Sequence, residues 1–211
     1  MADKYILALE TSSSICGAAI VRNNDLLSIK EKNVSRKHAE LLPDFTKASL
    51  NNINMRIDDI DAIAVSIGPG SFTGLRIGLG FAKGIAYAKT LPIIPVPSLL
   101  SLAFSLKSYE PKQGISHSHS RKVFYQTFEW VDNIPRVNEK ARVVEIDDYI
   151  ININKGFQYN CENIMDGIQG IETAKPSSAH IGKLGFIYFD DWVVKKPYNL
   201  VPNYIAPFEI K

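Results

Sequence analysis

The chain has 211 residues, 45% of them hydrophobic and 22% charged, with a net charge of +2. This is the composition of an ordinary globular protein, long enough to bury a sizeable core as one medium domain or two small lobes. The charge is too small to argue for a nucleic-acid or membrane surface, and the two cysteines, Cys16 and Cys161, are too few for a disulfide framework.

No uncharged apolar run approaches the roughly eighteen residues needed to cross a bilayer. Asp3 and Lys4 precede a short apolar strand where a signal peptide would carry a long apolar core. The expected setting is a reduced cytoplasm, away from membranes.

Lys4 to Leu9 is a β-type apolar run that closes on Glu10-Thr11-Ser12-Ser13-Ser14. Cys16 to Arg22 predicts a second strand, Asn23-Asn24-Asp25 a turn, and Leu26 to Lys32 a third strand, so the chain opens with a hairpin. A carboxylate and hydroxyls placed directly after the first strand have a chemical use. Glu10 could hold a hydrated metal ion, and Thr11 and Ser12 could meet phosphate oxygens. An ordinary polar turn explains the same residues.

Leu41, Phe45 and Ala48 repeat at helical spacing within Ser35 to Ile53, which predicts an amphipathic helix. Pro43 removes a backbone donor at a cost of about 3 kcal/mol in a helix interior, so the helix proper is expected to start near residue 42 or to be kinked in its first turn. His38 reads as a capping or hydrogen-bonding group.

After Asp58-Asp59-Ile60-Asp61, the run Ile63-Ala64-Val65-Ser66-Ile67 predicts a buried strand stopped by Gly68-Pro69-Gly70. Ser71 and Thr73 can cap a helix that starts at once and runs to about Ala88. It contains Gly74, Gly78, Gly80 and Gly84, at about 1 kcal/mol each relative to alanine. At about 100° per residue, Gly74, Gly78, Ile77, Phe81 and Ile85 share one face with Gly80 and Gly84 beside it, and only Arg76 and Lys83 mark a polar stripe. Such a helix suits close approach by another backbone on more than one side. The turn before it lacks the lysine of a Walker A loop and the spacing of a dinucleotide site.

Leu91 to Pro97 predicts a short strand and Ser98 the cap of a helix to about Leu106. The alternation after the hairpin implies a mixed sheet with parallel crossovers. Tyr109 to Ser120 reads as a polar loop, its His117 and His119 without the cysteine or acid of a zinc site. Lys122 to Val131 and Arg142 to Ile146 predict strands, and Ser177 to Phe189 a helix opened by Pro176. We place a boundary near residue 106, giving a first lobe of residues 1–106 and a smaller, less regular one of residues 107–211.

Three segments together, Ile6 to Ser12, Lys37 to Pro43 and above all Ile67-Gly68-Pro69-Gly70-Ser71-Phe72-Thr73-Gly74-Leu75-Arg76-Ile77-Gly78, strongly resemble the TsaB (YeaZ) family of bacterial tRNA threonylcarbamoyladenosine biosynthesis. The match is close from residue 4 to about 105. The resemblance implies an α/β, actin-like and RNase H-like (ASKHA) fold with a reduced second lobe. It also implies a non-catalytic relative of TsaD, the subunit that transfers the threonylcarbamoyl group to adenosine 37 of tRNA. TsaD carries a His-x-x-x-His metal pair where this chain has Pro97-Ser98-Leu99-Leu100-Ser101-Leu102.

The resemblance further implies a scaffold that binds and activates TsaD, is joined by TsaE, forms a homodimer in isolation, and meets tRNA only through the complex. No cofactor is required of this chain, and ATP with magnesium enters at the complex. Carried over, His38, Leu41, Phe45, Gly74, Gly78, Phe81 and Gly84 become interface residues, with Glu10, Thr11 and Ser12 as a possible nucleotide or phosphate site. The alternative is an autonomous actin-fold ATPase or small-molecule kinase built on those last three. The second half departs from the family: Ser116 to Lys122 replaces an Asp-Ala-Arg-like turn, and Pro202-Asn203-Tyr204-Ile205-Ala206 lacks the family's arginine.

Overall fold

A computed structural model describes residues 3–148, 155–165 and 171–205; Ala206 of the tail motif lies outside them. The chain forms two compact units, one running up to Ser98 and resuming over Pro176–Pro202, the other running from Leu99 to Lys175 and again from Asn203. The segment 176–202 thus groups with the first unit, beyond the boundary drawn near residue 106.

The first unit is built on a five-stranded sheet of order β3-β2-β1-β4-β5. β1 (Tyr5–Glu10), β2 (Ile15–Arg22) and β3 (Asp25–Asn33) form an antiparallel meander, turned at Asn23 with a left-handed φ of 52°. β4 (Ala62–Gly68) joins β1 in parallel and β5 (Ile93–Pro97) joins β4 in parallel, the two crossovers being α1 (His38–Asn51) and α2 (Phe72–Lys89).

Strand periodicity explains why both faces of this sheet are covered. Leu7, Leu9, Ile63, Val65 and Ile93 point into one core with Leu42, Leu50, Leu79, Ala82 and Ala86 of α1 and α2. The alternate residues Ala8, Ala64 and Ile94 lie under α4 (Ser178–Ile187), a helix that reaches the sheet through Gly182 and Gly185. Small residues on both sides allow that approach. A Cβ added at Gly182 would stand 2.5 Å from a Val21 methyl and 3.0 Å from the Ala8 Cβ.

Two expectations in this unit are corrected. α1 begins at His38, with Pro43 inside it on the exposed side. The missing donor removes one bond near the helix start, while Leu42, Thr46, Ser49 and Leu50 bury the opposite face. Ser98 opens α3 (Ser98–Phe104), but its hydroxyl accepts a hydrogen bond from Gly68 N–H at 3.0 Å, tying β4's end to β5's end. Gly68 itself has φ 109°, which a side chain would strain.

The second unit carries a six-stranded sheet: the path β11-β10-β6-β7-β8, with β9 also on β7. Its members are β6 (Gln113–His119), β7 (Lys122–Val131), β8 (Ile134–Val137), β9 (Arg142–Glu145), β10 (Gly156–Tyr159) and β11 (Glu172–Thr173). Most of the expected loop over Tyr109 to Ser120 is therefore corrected: Gln113–His119 is a strand that pairs on both sides, with β7 and β10. Its composition hid it, because ladder hydrogen bonds satisfy a backbone whatever the side chains. His117 hydrogen-bonds with the Ser120 carbonyl and His119 with the Ser118 hydroxyl. Phe157 fills the space left by Gly114 and stacks on Phe128 at 5.8 Å between ring centres.

Replacing Gly182 by Val should cost about 1–3 kcal/mol of stability through overpacking between α4 and the sheet. Urea unfolding measures it; an unchanged midpoint would contradict the tight contact.

Candidate functional site

The region singled out by the sequence is the end of β1, the turn after β4 and the helix α2. These pieces meet in one place. Ser71 N–H donates to the Ser12 carbonyl at 2.7 Å, and Thr11 N–H donates to the Ser66 hydroxyl at 3.3 Å. Ser71 caps α2 as expected, accepting from Gly74 N–H at 3.2 Å.

The four helix glycines separate into two kinds. Gly74 and Gly78 face inward, where an added Cβ would collide with the Thr11 carbonyl oxygen and the Thr11 hydroxyl respectively. Gly70, in the preceding turn, stands equally close to the Ser12 carbonyl. Gly80 and Gly84 face outward, and a Cβ at either meets nothing within 4 Å among the described residues. The first kind is explained by the protein's own packing; the second is not.

The remaining residues expected at an interface divide likewise. Leu41 and Phe45 of α1 and Phe81 of α2 are half-buried at the edge of the core cluster. His38 is buried, its Nε2 bonded with the Ser13 carbonyl at 3.0 Å. Of the seven, Leu41, Phe45, Phe81 and Gly84 have area open to a partner, whereas His38, Gly74 and Gly78 are committed within their own unit.

Residues missed by the sequence reading lie beside the open glycines. Tyr87 is 75% exposed and Tyr198 58% exposed, with ring centres 6.2 Å apart, and Lys83 Nζ donates to the Tyr198 carbonyl at 2.9 Å. The sequence distance of more than a hundred residues left no local signal for this pairing.

Glu10, Thr11 and Ser12 are all buried. Glu10 Oε1 accepts from both Ser12 N–H and Ser12 Oγ–H at 2.6 Å. Burial pushes its carboxyl up to about 7, against the opposing pull of hydrogen bonds from Ser12 and Ser66, with a small further push from Glu31. The donors that a phosphate would use, the N–H groups of Thr11, Ser12, Ser71 and Gly74, are bonded within the chain. On β3, Glu31 accepts from the Ser177 hydroxyl and from the Ser178 N–H and hydroxyl at the start of α4. Among the described residues no cluster of three or more His, Cys, Asp or Glu could hold a metal ion. Burial also raises the Cys16 thiol to about 11 and Cys161 to about 12, away from thiolate chemistry at neutral pH.

Two outcomes follow from this geometry. Gly84→Ala should stabilise the fold by up to about 1 kcal/mol through helix propensity, whereas Gly74→Ala should destabilise it by more than that gain. Thermal melting of the two variants distinguishes them. Glu10 takes up its proton more readily folded than unfolded, so its contribution to stability is largest below pH 4.5 and is lost as pH rises to about 7. That loss amounts to about 3 kcal/mol at most. Denaturant titrations from pH 4.5 to 8 should show the decline in the wild type and a flatter profile in Glu10→Gln.

Comparisons with known proteins find likeness to two related groups, the TsaD transferases and TsaB. The model of the TsaD family, tRNA N6-adenosine threonylcarbamoyltransferase, matches residues 28–118. Over 103 residues the chain is 35% identical to the tRNA threonylcarbamoyladenosine biosynthesis protein TsaB of Haemophilus influenzae, covering 49% of this chain and 43% of that protein. Over 112 residues it is 33% identical to the tRNA N6-adenosine threonylcarbamoyltransferase of Streptococcus uberis, covering 46% of this chain and 33% of that protein. The aligned stretches therefore span less than half the length of these curated relatives. In fold the likeness is wider: YeaZ from Pseudomonas aeruginosa superposes with a TM-score of 0.81 at 21% identity, over 95% of this chain and 99% of that one. No helix among the described residues is long and apolar enough to cross a membrane. The fold is the actin-like, RNase H-like (ASKHA) architecture, and the resemblance to the TsaB (YeaZ) family holds in sequence over about half of the chain and in fold over nearly all of it.

Proposed function

We propose that this chain serves tRNA threonylcarbamoyladenosine biosynthesis as a non-catalytic subunit. It docks on a TsaD-type threonylcarbamoyltransferase through the outward face of α2 and the adjoining side of α1, and TsaE joins that pair. In isolation the same face pairs two copies of the chain, and tRNA is met through the complex.

One observation carries this reading. Gly80 and Gly84, one helical turn apart, cost about 1 kcal/mol each relative to alanine, yet no described residue comes within 4 Å of the space a Cβ would take at either. An open glycine pair flanked by the half-buried Phe81 suits the backbone of a second helix at short distance. The pair lies inside the segment matched by the transferase family model. Nucleotide and magnesium chemistry falls to the partners in this reading, which accords with the internal bonding of the Thr11 and Ser12 N–H groups.

The test is co-elution of the chain with a TsaD-type transferase in size-exclusion chromatography, with the affinity measured by calorimetry. Gly84→Trp, placed where the fold has room, should abolish co-elution and leave the melting temperature within a few degrees of the wild type. In a reconstituted modification assay, omitting the chain or supplying Gly84→Trp should lower tRNA threonylcarbamoylation at least about tenfold. A wild-type chain that never binds, or a Gly84→Trp variant that binds as well as wild type, would overturn the proposal.

A further inference from the structure

The segment between β1 and β2 does more than turn the chain. Its Ser12 carbonyl accepts from Ser71 N–H at 2.7 Å, the residue that caps α2. One residue on, the Ser13 carbonyl is bonded to Nε2 of His38 at 3.0 Å, the first residue of α1. The Ser14 carbonyl accepts from Val34 N–H at 2.8 Å, where β3 gives way to the link into α1. Three successive carbonyls of one short loop thus receive the approaches to both helices of the docking face.

That loop has little apolar anchorage of its own, since residues 12 to 14 are all serine and Ser14 is exposed. Its fixed point is Glu10. The carboxylate folds back over the loop, with Oε1 taking both the N–H and the hydroxyl of Ser12 at 2.6 Å, and the side chain is buried on the face of the sheet opposite to α1 and α2. Thr11, between them, points the other way, against Gly78 of α2. Successive residues therefore grip the two sides of the sheet. A carboxylate that holds two donors at one atom is among the stronger restraints available to a polar loop.

We propose that Glu10 is a positioning residue for the two-helix docking face: by pinning Ser12 it fixes the loop whose carbonyls seat the starts of α1 and α2. The inference rests on the docking role proposed above for that face. It gives the acid and hydroxyls after β1 a task other than phosphate binding, and it makes His38 a tether of α1 in place of a partner contact.

The experiment combines hydrogen exchange with binding, using the whole chain at a temperature where circular dichroism shows each variant folded. Glu10→Ala should speed exchange of the Ser71 and Val34 amides at least tenfold while the Ile63 amide in β4 stays as in wild type. It should also weaken affinity for the TsaD-type transferase about tenfold, a coupling of ordinary size. Glu10→Gln keeps an acceptor oxygen at the same reach and should restore both readouts to within about threefold, a rescue that simple loss of stability would not give. If Glu10→Ala does not fold, Glu10→Met takes its place, because it fills the buried volume and offers Ser12 no acceptor oxygen.

Wild-type exchange at Ser71 and Val34 in the Ala variant would overturn the inference. So would unchanged affinity despite faster exchange, or a Gln variant as defective as Ala. A wild-type chain that fails to bind the transferase sinks the docking role instead, and the exchange data then decide by themselves whether Glu10 holds the helix starts.

Discussion

The first unit depends on one close contact, the backbone of α2 lying directly on the backbone of the β1–β2 loop. Gly70, Gly74 and Gly78 carry no side chain because the carbonyls of Ser12 and Thr11 and the hydroxyl of Thr11 occupy the positions their Cβ atoms would need. The approach lets Leu75, Leu79, Ala82 and Ala86 reach the sheet and become almost completely buried. Burial of each large side chain contributes about 1.5–3 kcal/mol, enough to offset the helix propensity lost at the inward glycines. The contact also determines which side of α2 faces outward, and so puts Gly80 and Gly84 on the surface.

A second constraint follows from covering the sheet on both faces. The strands alternate between the core shared with α1 and α2 and the core under α4, so the polar residues Glu10 and Thr11 at the end of β1 are buried whichever way they point. Glu10 falls on the α4 side and Thr11 on the α2 side. Glu10 takes hydrogen bonds from Ser12, and its carboxyl is raised to about 7 because those bonds only partly compensate for lost solvation. Glu31, on the α4 side of β3, is satisfied differently, by the hydroxyls and the N–H at the start of α4. The same residue type serves one helix directly and the other helices through a loop.

Most of the first unit was legible in the sequence because its signals are local. Short apolar runs gave β1, β2 and β3, the Asn-Asn-Asp turn gave the connection of the last two, and the Gly-Pro-Gly stop with Ser71 behind it gave the start of α2. The second unit was less so. β6 reads as polar loop because its pairing with β7 and β10 is a property of backbone groups, and β10 and β11 are too short to show a period. The link between Tyr87 and Tyr198 spans a separation over which no periodicity can act.

The sequence by itself determined that the chain is an α/β protein, that a strand, a glycine turn and a glycine-rich helix lie at its centre, and which family that string resembles. It could count four helix glycines but not rank them, since 3.6-residue periodicity places residues around a helix without saying which side meets the sheet. Only the tertiary structure decided that Gly74 and Gly78 serve the fold while Gly80 and Gly84 remain open. It also decided that His38 and Glu10 bind the chain to itself. The reason is physical: each of these roles depends on what packs against the residue, and at Thr11 or Ser13 that neighbour comes from a strand end many residues away.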